Sequence, residues 1–372
     1  MADIKTSLRE LSVALIIGIK IKDLQIAINE LYHPKTFIDT VLKVVNNDIG
    51  NAIKIASLEK FDDSLKIIIT NGFKLGNCIY SCNKFAFNVN DQIIWTGSLN
   101  RKYGVIDLII GKYFFSLKEE SFILKNMSLT NLLNALTNKH LTNPINVFTK
   151  FATNEFNEWF RYSWISFVNY LQSHQSFIHQ NNDYFAKATI ANNKVIFEYN
   201  DDKLITPTTI NDFQTYMQFT NTKIREKLVA YWIFHHLRKD KTYRKLKQQC
   251  NYVAGAKLTR YINQNYCISN IHTFLQIFPF TYYYAKIEKR IGKIWEVLGI
   301  TKVNCKLQFI EAAFKATNQL YLITRFCNLN DNTVLTFYNE CRYSHGQFNG
   351  TPEAKLYVDK STCLDNLFKR IK

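Results

Sequence analysis

The chain has 372 residues and a formal net charge of +17, from 47 Lys and Arg against 30 Asp and Glu. An apolar fraction of 47%, with 28 Phe and 21 Tyr, excludes a disordered protein. The positive charge favours polyanionic partners, nucleic acid before anionic membrane. An AT-rich genome would also enrich Lys and Asn whatever the function.

The sequence predicts neither a membrane span nor a secretory signal. A span needs about 20 apolar residues, and the best run, 11–19, ends at Lys20. The first ten residues mix acids and bases without an apolar core. Of eight cysteines only Cys78 and Cys82 are close, so we expect reduced thiols rather than structural zinc. We therefore expect a cytoplasmic protein without a membrane partner.

The N-terminal segment 1–58 is predicted to be helical, because apolar residues recur at helical spacing from Leu8 to Ile19. We expect these helices to pack against a sheet. Between 65 and 95 the pattern predicts strands and turns, including a strand at 67–70 that ends at the dipeptide Asn71-Gly72.

The next stretch predicts a β-hairpin. Residues 104–110 form an apolar strand that one carboxylate, Asp107, interrupts, and residues 113–118 form a second strand. Gly111-Lys112 is the predicted two-residue turn. This turn places Asp107 directly opposite Ser116, with Cβ atoms roughly 5 Å apart on one face of the sheet.

Lys118 and Glu120 share the face of Ser116, because side chains alternate along a strand. An acid, a hydroxyl, a lysine and a second acid are thus expected on one face. The opposite face is expected to be apolar and buried, and consists of Ile106, Leu108, Ile110, Phe115 and Leu117. A carboxylate on such a strand needs a partner, and Lys118 alone would suffice as an ion-pair partner.

An Asp on one strand and an acid-x-Lys on the next resembles the PD-(D/E)XK nucleases. Asp107 with Ser116-Leu117-Lys118 and the continuation 119–126 resembles type II restriction endonucleases that carry Ser-Leu-Lys at this position. The resemblance covers about residues 95–135. It implies Mg²⁺-dependent hydrolysis of double-stranded DNA, a homodimer, and a cognate DNA methyltransferase in the host.

By this resemblance, Asp107 and a second acid hold Mg²⁺ while Lys118 positions or activates the attacking water. Ser116 departs from the pattern, because a neutral hydroxyl is a weak ligand for a hard cation. The second carboxylate must come from elsewhere. Glu120 is the nearest candidate, and Glu10 on the first helix is an alternative.

After the hairpin the sequence predicts further helices and a second hairpin. Ser128 is expected to cap a helix, and residues 154–170 form a strongly aromatic one. Asn192-Asn193 is expected to turn a hairpin over 186–199. Thr206-Pro207 is expected to be a loop and a domain boundary.

Residues 223–260 are the most basic region, with interleaved aromatic side chains that suit contacts to phosphate and sugar. The pattern resembles a helix, a short break and a second helix. The residues expected to contact DNA here are Arg238, Lys239, Lys241, Arg244, Lys245 and Lys247. The alternative is a solvated helix face whose aromatic residues turn to the core.

The C-terminal part predicts a hairpin with strands at 334–343 and 354–358 and a polar loop between them. Three of its residues are of types that read base edges in the major groove, namely Arg342, Gln347 and Asn349. Glu353-Ala354-Lys355, with Glu340 on the preceding strand, is a competing candidate for the nuclease centre.

Together these patterns predict an α/β, mixed α+β fold with a central mixed sheet of the PD-(D/E)XK nuclease type, flanked by helices. We expect a helical segment at 1–58, a catalytic core at 59–150, and an interlocked DNA-recognition region at 151–372. The expected function is a type II site-specific deoxyribonuclease of a restriction system. The alternative is a non-catalytic nucleic-acid-binding protein, such as a phage or plasmid regulatory or replication factor.

Overall fold

The computed structural model of the chain shows a mixed α+β fold. It describes residues 4–98, 106–119, 123–137, 141, 146–267, 282–287, 296–300, 307–329, 332–343, 346–358 and 368–370. The chain divides into two compact units. Unit 1 comprises Met1–Lys125, Leu275–Cys305 and Lys360–Lys372, and unit 2 comprises Asn126–Phe274 and Lys306–Asp359.

The described residues contain ten α-helices, besides shorter 3₁₀ turns and a π-helical segment at Arg225–Ala230. The α-helices are α1 Ile4–Ile21, α2 Pro34–Val44, α3 Asp63–Tyr80, α4 Leu129–Leu136, α5 Val147–Phe151, α6 Thr153–His174, α7 Phe213–Phe219, α8 Thr222–Ile224, α9 Tyr231–His236 and α10 Lys241–Asn265. None of these helices is long and apolar enough to cross a bilayer.

Fifteen strands are described. They are β1 Ile93–Trp95, β2 Leu108–Ile110, β3 Tyr113–Glu119, β4 Ile123–Ser128, β5 Ser176–Asn181, β6 Tyr184–Ala191, β7 Lys194–Tyr199, β8 Asp202–Pro207, β9 Tyr282–Ile287, β10 Glu296–Ile300, β11 Leu307–Ala316, β12 Leu320–Asn328, β13 Thr333–Arg342, β14 Glu353–Val358 and β15 Phe368–Arg370.

The sheet of unit 1 has six strands in the order β1-β2-β3-β9-β10-β15. Its strands β3 and β9 are parallel, and the other four pairs are antiparallel. Helices α1, α2 and α3 share one apolar core with strands β1–β3. The predicted packing of the N-terminal helices against a sheet is confirmed, and the coarse prediction of a mixed sheet with helices holds for this unit.

The prediction of a strand at 67–70 is wrong, because these residues lie inside α3. Asp62 caps this helix by accepting a hydrogen bond from the Leu65 N–H. The β-branched run suggested a strand, but buried residues recur at helical spacing from Ile69 to Ile79. Tertiary packing of this face therefore decides the local structure.

Two glycines of α3 allow close contact with α1. A Cβ at Gly72 would lie 2.4 Å from the Ser12 Cβ and 2.9 Å from the Arg9 carbonyl oxygen. At Gly76 a Cβ would lie 2.0 Å from a methyl carbon of Ile16. The predicted turn at Asn71-Gly72 is instead the contact point of two helices.

We expect Gly72→Ala to lower the free energy of unfolding by about 1–3 kcal/mol, because the new methyl group overpacks the helix contact. The gain in helix propensity of about 1 kcal/mol offsets part of the cost. Urea denaturation measures the change. Lys74→Ala, at an exposed position of the same helix, is the matched control, and equal stability of the two variants would contradict this packing.

Unit 2 is built on two sheets. Strands β5-β6-β7-β8 form an antiparallel meander, and the second sheet has the order β11-β12-β13-β14-β4, in which β4 spans the division of the chain between Lys125 and Asn126. Asn192 and Asn193 both have positive φ, 49° and 57°, which confirms the predicted turn. Thr206-Pro207 was wrongly predicted as a loop, since it ends β8, an edge strand where proline is tolerated.

An aromatic cluster around α6 forms much of the core of unit 2. Trp159 and Phe160 are buried on this helix, and Ser128 caps α4 as predicted. Phe348 is fully buried and its ring centroid lies 4.7 Å from that of Trp159. Its φ of 60° is unusual for a bulky residue and is held by this packing. The described part of the loop before β14 is therefore anchored in the core.

Candidate functional site

The predicted hairpin is formed by β2 and β3, in the predicted register. Ile110 pairs with Tyr113 and Leu108 with Phe115. Gly111 has a φ of +54°, and a Cβ there would lie 2.6 Å from Asp91 Oδ1. Only glycine fits this turn without strain.

The register brings Asp107 and Ser116 together. Asp107 Oδ2 accepts a hydrogen bond from the Leu117 backbone N–H at 2.7 Å and a longer one from Ser116 Oγ at 3.4 Å. The Asp107 N–H donates to the Phe115 carbonyl at 2.9 Å, so its backbone continues the ladder. Asp107 is half-buried and Ser116 is 1% exposed.

The opposite face of the hairpin is apolar and buried, as predicted. The five residues of this face are each exposed by 3% or less, and are Ile106, Leu108, Ile110, Phe115 and Leu117. This packing fixes the hairpin against the helices of unit 1. The carboxylate of Asp107 is consequently held in place by a rigid scaffold.

Lys118 lies on β3, and its backbone is in register with Lys286 on the parallel strand β9. No local pattern predicts Lys286 as a neighbour, because β9 is far away in the sequence. Glu120, the predicted second carboxylate, lies outside the described residues. The structure thus brings together Asp107, Ser116 and the backbone of Lys118, and leaves the position of Glu120 a prediction.

Glu10, the alternative second carboxylate, is buried and does not lie on the face of the sheet that carries Asp107. It is 4% exposed, and its Oε2 accepts a hydrogen bond from the Trp95 indole N–H at 2.8 Å. Trp95 pairs with Leu108 and shares its apolar face, whereas strand alternation puts Asp107 on the other face. Glu10 is therefore a buried partner of Trp95, and this position does not support the alternative assignment as second metal ligand.

The donor chemistry at the hairpin is compatible with Mg²⁺, which proteins bind through one or two carboxylates together with water and substrate phosphate. Asp107 supplies one carboxylate, and Ser116 adds a weak neutral oxygen. Within the residues that the structure describes, no group of three or more His, Cys, Asp or Glu side chains forms a complete metal cage.

The basic region of unit 2 has the predicted helix, break and helix, as α9 and α10. Asp240 caps α10 by accepting from the Tyr243 N–H at 2.7 Å. The cations of the basic region around this break are mostly exposed. The exposed ones are Arg238, Lys239, Lys241, Arg244 and Lys245, whereas Lys247 is half-buried. Trp232 and Tyr243 are buried, so these two aromatic residues stabilise the core rather than face a ligand.

Arg225 has a structural position, unlike the exposed cations. It is 6% exposed, and its guanidinium donates to the Thr220 carbonyl at 2.6 Å and to Asn349 Oδ1 at 3.3 Å. Burial lowers the pKa of Arg225, although an arginine still keeps its proton. Asn349, predicted to read bases, is itself 8% exposed and is a structural contact. The prediction of a base contact by Asn349 does not fit this position.

Arg342 and Gln347, the other two residues predicted to read bases, differ from Asn349 in their surroundings. Arg342 has a side chain 38% exposed, with its Nη1 3.8 Å from Glu340 Oε2. Gln347 lines a cavity next to Arg238 and Arg244. Phe348 anchors the described part of the predicted polar loop in the core.

The competing centre is a buried polar network. Glu340 on β13 lies opposite Lys355 on β14 in the strand register. The two residues are 7% and 8% exposed, respectively. Glu340 accepts hydrogen bonds from Tyr357 Oη at 2.7 Å and Tyr321 Oη at 3.5 Å. The sequence did not indicate these tyrosines, because only the strand register places them beside Glu340.

Burial, and next the charge of Arg342, lower the pKa of Lys355. Burial and hydrogen bonding to Glu340 raise the pKa of Tyr357. The carboxylate of Glu340 is surrounded by donors within the protein, which favours a structural role. The hairpin in unit 1 remains the stronger candidate site. No family model, curated protein or solved structure matches this chain.

Proposed function

We propose that the protein is a Mg²⁺-dependent endonuclease that cuts double-stranded DNA at specific sequences, like the type II restriction endonucleases that the hairpin resembles. The observation that carries this proposal is the contact of Asp107 with Ser116 and with the Leu117 N–H. These contacts place Asp107 of one strand beside Ser116 and Leu117 of the next, which supports the proposal.

In this proposal Asp107 and Glu120 hold Mg²⁺. When bound, the ion supplies Lewis-acid polarisation of the scissile phosphate and lowers the pKa of a bound water. The hydrogen bonds from Leu117 and Ser116 orient the carboxylate of Asp107. Lys118 orients the attacking water or stabilises the charge that develops on the phosphate. The exposed cations of unit 2 hold the DNA backbone.

The test is incubation of the purified protein with unmethylated DNA in Mg²⁺ and, separately, in EDTA. We expect discrete fragments in Mg²⁺ and intact DNA in EDTA. Intact DNA in Mg²⁺ across varied sequences would overturn the nuclease proposal.

As with restriction enzymes in general, we further propose a cytoplasmic homodimer whose host carries a matching DNA methyltransferase.

A second candidate function is nucleic-acid binding without chemistry, as in a phage or plasmid regulatory factor. The observation that favours it is the group of exposed cations around the break between α9 and α10. In this case Asp107 and its neighbours only stabilise the hairpin. Such a protein would bind DNA in EDTA and leave it intact in Mg²⁺.

Both candidates predict that DNA affinity depends on salt through the exposed lysines. We expect Lys241→Ala and Lys245→Ala each to reduce the slope of log K against log salt by about 1, because each removes one phosphate contact. Fluorescence anisotropy in EDTA over a range of KCl concentrations measures the slope. Lys54→Ala, exposed in unit 1, is the control, and unchanged slopes in both test variants would exclude this surface as the DNA contact.

A further inference from the structure

Unit 2 contains a basic cavity of about 590 Å³ between α9, the N-terminal part of α10 and the loop before β14. Its cationic lining residues are Arg238, Arg244 and Lys247, and no Asp or Glu is among the described residues that line it. The volume lies in the usual range for small-molecule sites. A cavity lined by three cations is suited to an anion.

Lys247 is the least exposed of these cations. It is half-buried, while Arg238 and Arg244 are exposed. Its Nζ lies 5.8 Å from the Trp159 ring centroid, and no hydrogen bond or ion pair is found for it among the described residues. Burial lowers the pKa of Lys247 to about 8, although the charge of Glu340 acts in the opposite direction. A buried cation of this kind gains stability from an anionic ligand.

Gln347 adds a polar group to the same cavity. Its Oε1 is buried and has no hydrogen-bond partner within the described part of the chain, which is uncommon for a buried amide oxygen. This acceptor suits an N–H or O–H donor of a ligand. The cavity therefore offers cations for an anion and an amide for a neighbouring polar group.

We propose that this cavity binds a phosphate group that carries a nucleoside, either a free nucleotide or one nucleotide of a nucleic acid. Arg238 and Arg244 contact the phosphate oxygens from the rim, and Lys247 neutralises the phosphate from the inner side. Gln347 accepts a hydrogen bond from the sugar or base. This site lies in unit 2 and does not depend on the nuclease chemistry proposed for the hairpin of unit 1.

The experiment is isothermal titration calorimetry of the full chain in EDTA, with inorganic phosphate, dAMP, ATP and a double-stranded oligonucleotide as separate probes. We expect Lys247→Met to weaken the binding of every probe that the wild type binds by at least tenfold. Lys257→Met, exposed on α10 and away from the cavity, is expected to leave the affinity for mononucleotides within twofold. The melting temperature of Lys247→Met should equal or exceed that of the wild type, because a buried charge is removed.

The probes distinguish the source of the phosphate. Binding of dAMP or ATP that requires Lys247 supports a free nucleotide, and binding of the oligonucleotide alone that requires Lys247 supports a nucleic-acid strand. Absence of binding by all probes, or wild-type affinity in Lys247→Met, would overturn the proposal. Because EDTA prevents cleavage, the result is independent of the nuclease test.

The pH dependence gives a second readout. As pH rises through about 8, Lys247 loses its proton and the cavity loses one positive charge, so affinity should fall. Arg238 and Arg244 are the other cations that line the cavity among the described residues. Tyr243 and Tyr343 stay neutral because burial raises their pKa values, and Glu340 is the acid whose charge acts on Lys247. In Lys247→Met the fall between pH 7 and pH 9.5 should vanish, and a fall equal to that of the wild type would contradict the role of Lys247.

Discussion

Asp107→Asn is expected to lower the rate of DNA cleavage in Mg²⁺ by about a thousandfold or more, because the metal loses a charged ligand worth several kcal/mol. Asparagine keeps an oxygen that accepts the Leu117 N–H, so the contact at 2.7 Å has a replacement. DNA affinity in EDTA should be unchanged or tighter, since a negative charge near phosphate is removed. Single-turnover cleavage and anisotropy measure the two effects.

Ser116→Ala is the matched control on the opposite strand. Its hydroxyl contributes only the long 3.4 Å contact to Asp107 and is a weak metal ligand, so we expect a loss of about tenfold or less. Equal melting temperatures of the variants would separate catalysis from folding. Wild-type cleavage by Asp107→Asn would move the centre elsewhere, with Glu353 and Lys355 the next residues to test.

Arg225→Met is expected to lower the free energy of unfolding by about 2–4 kcal/mol, because it leaves buried acceptors without a donor at about 1–3 kcal/mol each. The guanidinium donates to the Thr220 carbonyl and to Asn349. Methionine keeps most of the volume, so the loss reports on the hydrogen bonds rather than on a cavity. Urea denaturation followed by intrinsic fluorescence measures it.

Lys223→Met is the control, since Lys223 is exposed two residues before Arg225, and its effect should stay within about 0.5 kcal/mol. DNA affinity of folded Arg225→Met should match that of the wild type. A variant with normal stability and weakened DNA binding would instead show that Arg225 contacts DNA.

The hairpins were the part of the fold that the sequence predicted best. Gly111-Lys112 and Asn192-Asn193 each set a register through a short turn, and one register fixes which side chains share a face. The contact of Asp107 with Ser116 follows from the first turn alone. The candidate site could therefore be predicted from the residues of a short local turn.

Elements whose structure depends on tertiary packing were predicted less well. The strand predicted at 67–70 is part of α3, because its glycines fit against α1. The parallel pairing of β3 with β9 joins segments that are separated by unit 2 in the chain. The periodicity of a local segment cannot predict the pairing of two strands that are so far apart in the sequence.

The domain boundaries predicted at residues 58 and 150 were also based on local sequence patterns. The N-terminal helices and strands β1–β3 belong to one unit with one core, and residues 126–150 fall in unit 2. Asn349 shows the same limit on a smaller scale. Its residue type suits base reading, but its contact with Arg225 depends on a distant helical segment.

The most direct test of the central proposal is a digest of unmethylated plasmid and phage DNA by the wild type and by Lys118→Ala, each in Mg²⁺ and in EDTA. We predict discrete fragments from the wild type in Mg²⁺ and intact DNA in the three other reactions. Cleavage that persists in EDTA, or that Lys118→Ala performs at the wild-type rate, would contradict a metal-dependent centre at this hairpin. Intact DNA in all four reactions would instead favour a binding or structural protein without cleavage activity.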